Sequence, residues 1–166
     1  MGGGEEEIKN KEITAITIYF DPTSKTTVKA AQVLESMLRE YFEVKWEEIE
    51  EKESLAQKVE QQQKRTAILY VFHGTPKGMT TGMERIGWEE VTQIVESSNS
   101  KYHLFLSCYS EGKITTTSKM VQGQKGEIDY SLAVIGTIHT IGAMGCRRMS
   151  IPSIIVITFT FISFTL

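Results

Sequence analysis

Residues 67–78 read AILYVFHGTPKG. Ala67–Phe72 is an unbroken apolar and aromatic run of strand length, too short for an ordinary helix. A strand that is apolar at every position needs cover on both faces, the condition of a parallel sheet flanked by helices. The run stops at His73-Gly74, and a polar, glycine-containing segment follows. A second run, Tyr102–Ser107, stops in the same way at Cys108, ahead of YSEGK. These two buried strands decide the fold class, and their endings pose the question of function.

Upstream, EITAITIYF (residues 12–20) is short and β-branched, and Asp21-Pro22 closes it, so it reads as a strand and a turn. In residues 27–42, Val28, Ala31, Leu34, Leu38 and Phe42 recur at helical spacing with charges opposite them. Residues 42–50 alternate through Phe42, Val44 and Trp46, as a strand near the sheet edge would. Residues 54–65 make a short polar helix with Ser54 as its cap, burying Leu55 and Val59. After the His73 loop, WEEVTQIVESS (residues 88–98) is amphipathic through Trp88, Val91, Ile94 and Val95. The alternation of strands and helices predicts an α/β domain, a three-layer sandwich with a mainly parallel sheet. Tyr109–Asp129 reads as a long exposed loop, and Ser131–Ile135 as a fifth strand.

The ends complete the expected organisation. Residues 1–11 form a flexible lead without the apolar stretch of a signal peptide, and Glu6 stands where a myristoylation motif has Ser or Thr. A single domain covers residues 12–166. Its apolar tail, residues 151–166, carries no charge, yet it is rich in β-branched and aromatic residues and shorter than the ~20 residues of a span. It reads as a final strand in preference to a membrane anchor. A cytoplasmic protein, with membrane attachment through that tail as the alternative, is the expectation.

With 40% hydrophobic and 23% charged residues the chain is globular in composition, not disordered. A net charge of −3 and the lack of a basic stripe speak against a nucleic-acid partner. Cys108 and Cys146 are too few for a disulfide framework, and no Cys/His spacing suggests a metal site or calls for a cofactor.

At the carboxyl edge of a parallel sheet, neighbouring strand ends deliver their side chains into one crevice. His73 and Cys108 would emerge there together, and a histidine is the usual activator of a thiolate nucleophile. Gly74, without a Cβ, would let its amide approach a developing oxyanion, with the amide of Cys108 as second donor. His103, inside a strand, reads as packing, and the His139 region lacks a strand-end signature. Trp46 and Trp88 read as core or rim.

The blocks ILYVFHG and LFLSCYSEG resemble those of the caspase-like (clan CD) cysteine peptidases, most closely metacaspases and legumains. Glu111 stands inserted before Gly112, relative to the small–Cys–x–Ser–Gly pattern of those groups. The resemblance spans residues 12 to 136. It implies a caspase-like fold and a cysteine endopeptidase acting on peptide or protein substrates. Cys108 would attack the carbonyl, His73 would handle the leaving-group proton, and Gly74 and Cys108 would form the oxyanion hole. It also implies self-cleavage within residues 109–129, which hold Lys113, Lys119 and Lys125. One departure is Leu106, where relatives commonly carry an acid that reads the substrate; Asp21 is the weak substitute candidate. The rival readings are a catalytically inactive caspase-fold adaptor and a flavodoxin-like binding domain.

Overall fold

The computed structural model describes residues 13–116, 118–127 and 129–143. In chain order it contains β1 (Ala15–Phe20), α1 (Lys25–Leu38), β2 (Glu43–Glu48), α2 (Lys52–Glu60) and β3 (Thr66–Val71). Three short strands follow, β4 (His73–Thr75), β5 (Gly78–Thr81) and β6 (Glu84–Gly87), then α3 (Trp88–Ser97). β7 (Tyr102–Phe105), β8 (Met120–Gln122) and α4 (Tyr130–Ala143) complete the described elements. The main sheet has the order β2-β1-β3-β7-β8, and each pairing in it is parallel.

Alternate residues of the central strands feed two separate cores. Ile16, Ile18 and Phe20, Ala67, Leu69 and Val71, and Leu104 and Leu106 pack with the apolar stripes of α1 and α4. Tyr19, Ile68, Tyr70, Phe72 and Phe105 pack on the other face with Leu55 and Val59 of α2 and with Trp88, Val91 and Val95 of α3. Helices therefore cover both faces, and the uninterrupted apolarity of β3 is explained: all six of its residues are buried. β2 lies at the sheet edge, where the partly exposed Trp46 stacks on Phe20 at 5.1 Å.

The expected strand at Ser131–Ile135 is instead the start of α4. Its β-branched residues suggested a strand, but Ala133, Val134, Thr137, Ile138 and Ile141 are the buried positions, which is a helical period. Asp129 begins the helix: its Oδ1 accepts from the Ser131 amide at 2.6 Å, and its carbonyl accepts from Ala133 at 3.1 Å. Hydrogen bonding from the Ser131 side chain, and then from its amide, holds the Asp129 carboxyl below its usual range. The start of α2 also differs from expectation, because the Lys52 amide is capped at 2.9 Å by Glu84 of β6 rather than by Ser54.

Two further segments expected as loop contain strands. β4, β5 and β6 form an antiparallel sheet through the two-residue loops Pro76-Lys77 and Gly82-Met83. Gly82 has φ +54°, a left-handed value that glycine adopts without a Cβ penalty at the first position of such a loop. Ties fasten this small sheet over the ends of β1 and β2 and against α3. The Gly82 amide donates to Asp21 Oδ1 at 3.2 Å, Thr81 Oγ1 donates to the Ile49 carbonyl, and Trp88 Nε1 donates to the Thr75 carbonyl at 3.0 Å. Within residues 109–129, expected to be an exposed loop, β8 pairs with β7. The chain after it returns to the Cys108 turn through Glu111 N to Gln124 O (3.1 Å) and Gln124 N to Ser110 Oγ (2.8 Å). Cys146 and the tail 151–166 lie outside the described residues, as does the lead 1–11.

Candidate active site

Parallel pairing fixes the level of each strand end. Tyr70 of β3 faces Phe105 of β7, and the ladder continues with Leu106 N donating to Tyr70 O at 2.8 Å. His73 and Cys108 lie the same number of residues past that pair, so the two endings reach one height on adjacent strands. They also touch. A Cβ on Gly74 would lie 1.9 Å from the carbonyl oxygen of Cys108 and 2.7 Å from its nitrogen. Only glycine permits this apposition. His73 is exposed and Cys108 half-buried, so both open toward solvent.

Two residues that the sequence reading did not single out hold the histidine. Ser24, the N-cap of α1, has its Oγ 2.8 Å from His73 Nε2. Tyr130, at the start of α4, meets the His73 ring edge-on, with centroids 5.8 Å apart and planes at 84°. Its hydroxyl donates to the carbonyl of Phe72 at 2.7 Å. Burial pushes the Tyr130 phenol well above its ordinary range, and the charges of Cys108 and Asp21 push it further. Tyr130 thus touches His73 and lies within electrostatic reach of Cys108 and Asp21. No local motif in the sequence announces either contact, because both depend on how α1 and α4 dock.

The turn after the cysteine is held in an uncommon conformation. Tyr109 has φ +61°, left-handed for a residue with a side chain. Its amide donates to Gly126 O at 3.0 Å and its hydroxyl to Glu127 Oε1 at 3.2 Å. Partial desolvation raises the Tyr109 phenol above its usual value, with Glu127 and Cys108 adding in the same sense.

No known family profile matches the sequence, and no curated protein matches it.

The remaining expected residues fall as follows. Asp21 is 3% exposed, and its Oδ1 accepts from Thr23 N (2.9 Å), Thr23 Oγ1 (2.7 Å) and Gly82 N (3.2 Å). The structure gives this carboxylate the work of tying β1 to the small sheet. Leu106 belongs to the core under α1 and α4, so the position two before Cys108 points away from the crevice. His103 is fully buried and lies on the opposite face from Leu104, far down the strand from the crevice end. Among the described residues no cluster of His, Cys, Asp and Glu could hold a metal ion. No described helix is long and apolar enough to cross a membrane.

Proposed function

We propose that the chain is a caspase-like cysteine endopeptidase that works through Cys108 and His73. The supporting observation is the backbone apposition of Gly74 and Cys108 at the carboxyl ends of neighbouring parallel strands. In this reading the Cys108 thiolate adds to a peptide carbonyl held between the two strand ends. Negative charge develops on the carbonyl oxygen, and the amides of Gly74 and Cys108 take it up. Protonated His73 passes its proton to the departing amine as the C–N bond breaks, leaving a thioester. Water, deprotonated by His73, then adds to that thioester and releases the acid and the thiol.

Self-cleavage in residues 109–129 belongs to the same proposal. Lys113 and Lys125 are exposed there, while the Lys119 ammonium is occupied by the Ser98 carbonyl. Purified wild type should therefore lose intact mass relative to Cys108→Ala, and equal masses would remove this part of the proposal. A cytoplasmic, reducing location suits a thiol enzyme of this kind.

The deciding experiment is exposure to a peptidyl chloromethyl ketone followed by mass mapping. One modification at Cys108 is expected, absent in Cys108→Ala and strongly slowed in His73→Ala. Absence of any modification, or one that persists in Cys108→Ala, would overturn the peptidase reading and favour the adaptor.

A further inference from the structure

His73 is fixed from two sides, and the nature of those contacts bears on which ring nitrogen can move protons. We propose that Ser24 is a positioning residue: its Oγ accepts the Nε2–H of His73 and so makes Nδ1 the working nitrogen. The inference deepens the peptidase reading and rests on it for its catalytic consequence.

Ser24 is itself pinned. As the N-cap of α1 its carbonyl accepts from Val28 N at 3.1 Å. A hydroxyl has two acceptor sites and one proton. One site takes the Thr27 amide at 3.4 Å, and the other faces Nε2 at 2.8 Å. Ser24 is half-buried, so its own proton can go to solvent. The protonated ring has only N–H groups, so in that state Oγ must be the acceptor. In the neutral state a base needs one bare nitrogen, and keeping the proton on Nε2 leaves Nδ1 bare.

The proton balance then closes on one atom. In acylation the Nδ1 proton goes to the leaving amine. In deacylation bare Nδ1 takes a proton from water, and the ring then returns it to the sulfur as the thioester C–S bond breaks. Nε2–H stays on Ser24 throughout. Tyr130 restricts ring rotation by its edge contact. The titratable group in contact with the ring is Tyr130 of α4, which itself feels the charges of Cys108 and Asp21.

Three variants test this. Ser24→Gly keeps a residue tolerated at an N-cap but removes the acceptor. Ser24→Thr restores a hydroxyl, and Ser24→Asp supplies a carboxylate. The rate of Cys108 modification by the chloromethyl ketone is followed against pH. Ser24→Gly should be slower by about tenfold, a part of the ~10²–10⁴-fold that acid–base catalysis supplies, and Ser24→Thr within about twofold of wild type. Ser24→Asp should move the His73-governed limb to higher pH, because a carboxylate favours the imidazolium.

Nitrogen-15 NMR of the neutral His73 ring provides a readout independent of activity, with the proton expected on Nε2. A proton on Nδ1 would overturn the assignment. So would unchanged rates and pH profiles in Ser24→Gly and Ser24→Asp while Cys108→Ala still abolishes modification. If Cys108 is unreactive in every variant, the peptidase reading fails, and the NMR result still decides the Ser24 contact.

Discussion

Gly74→Ala is expected to damage fold and site together. The added methyl would meet the Cys108 carbonyl oxygen at 1.9 Å and its carbon at 2.8 Å, and both are backbone atoms that no rotamer change can clear. The ends of β3 and β7 must part instead. Overpacking of this kind costs at least about 1–3 kcal/mol. The chemical loss should be larger, because a displacement of ~1 Å between reacting groups costs about a hundredfold in rate. Denaturant unfolding measures the first effect and chloromethyl ketone modification of Cys108 the second. A variant with wild-type stability and reactivity would show that the two strand ends need not touch.

Acid should destabilise the fold through His103. This imidazole is fully buried, and its environment dictates its state. Nε2 lies 3.1 Å from the Ser100 carbonyl, which can only accept, so Nε2 carries the proton. Nδ1 is then bare and accepts from the Tyr70 hydroxyl at 2.9 Å. Tyr70 in turn lies flat on Phe105, with centroids 4.2 Å apart and planes within 2°. Burial lowers the His103 pKa from 6.5 to about 4, and the Lys119 charge works in the same direction. Between those values the unfolded chain binds a proton that the folded chain does not. Stability is therefore full above pH 6.5, falls as pH drops toward 4, and levels below it. The whole loss is roughly 3 kcal/mol. Unfolding free energy measured from pH 7 to pH 4 should show this slope, and His103→Gln should flatten it. An equal slope in that variant would assign the acid sensitivity elsewhere.

The parts of the fold legible in the sequence were those whose burial is written into contiguous residues. Ala67–Phe72 and Tyr102–Ser107 are apolar because both of their faces are covered, and the Val28–Leu38 stripe is helical because one face is. α4 was misread because Val134, Ile135, Thr137 and Ile138 carry strand-like side chains on a helical burial pattern. β4–β6 were missed because strands of three or four residues show too little alternation to stand out from loop. For the candidate site, the strand ends His73 and Cys108 were readable, since a parallel sheet brings its carboxyl ends to one edge. Ser24 and Tyr130 were not, because their contacts with His73 arise only once α1 and α4 are docked.

The small sheet that begins at His73 has a consequence for heat. It is made of short strands, carries a fully exposed Met83 in its β5–β6 loop, and sends only the side chains of Met79, Thr81 and Ile86 fully inside, whereas β3 is buried along its whole length. Segments with few buried contacts open locally at lower free energy than the core. His73 belongs to the looser unit and Cys108 follows a strand of the tighter one. On warming, the pair should separate while the central sheet is still intact, so reactivity at Cys108 would fade at a lower temperature than the far-ultraviolet signal of the fold.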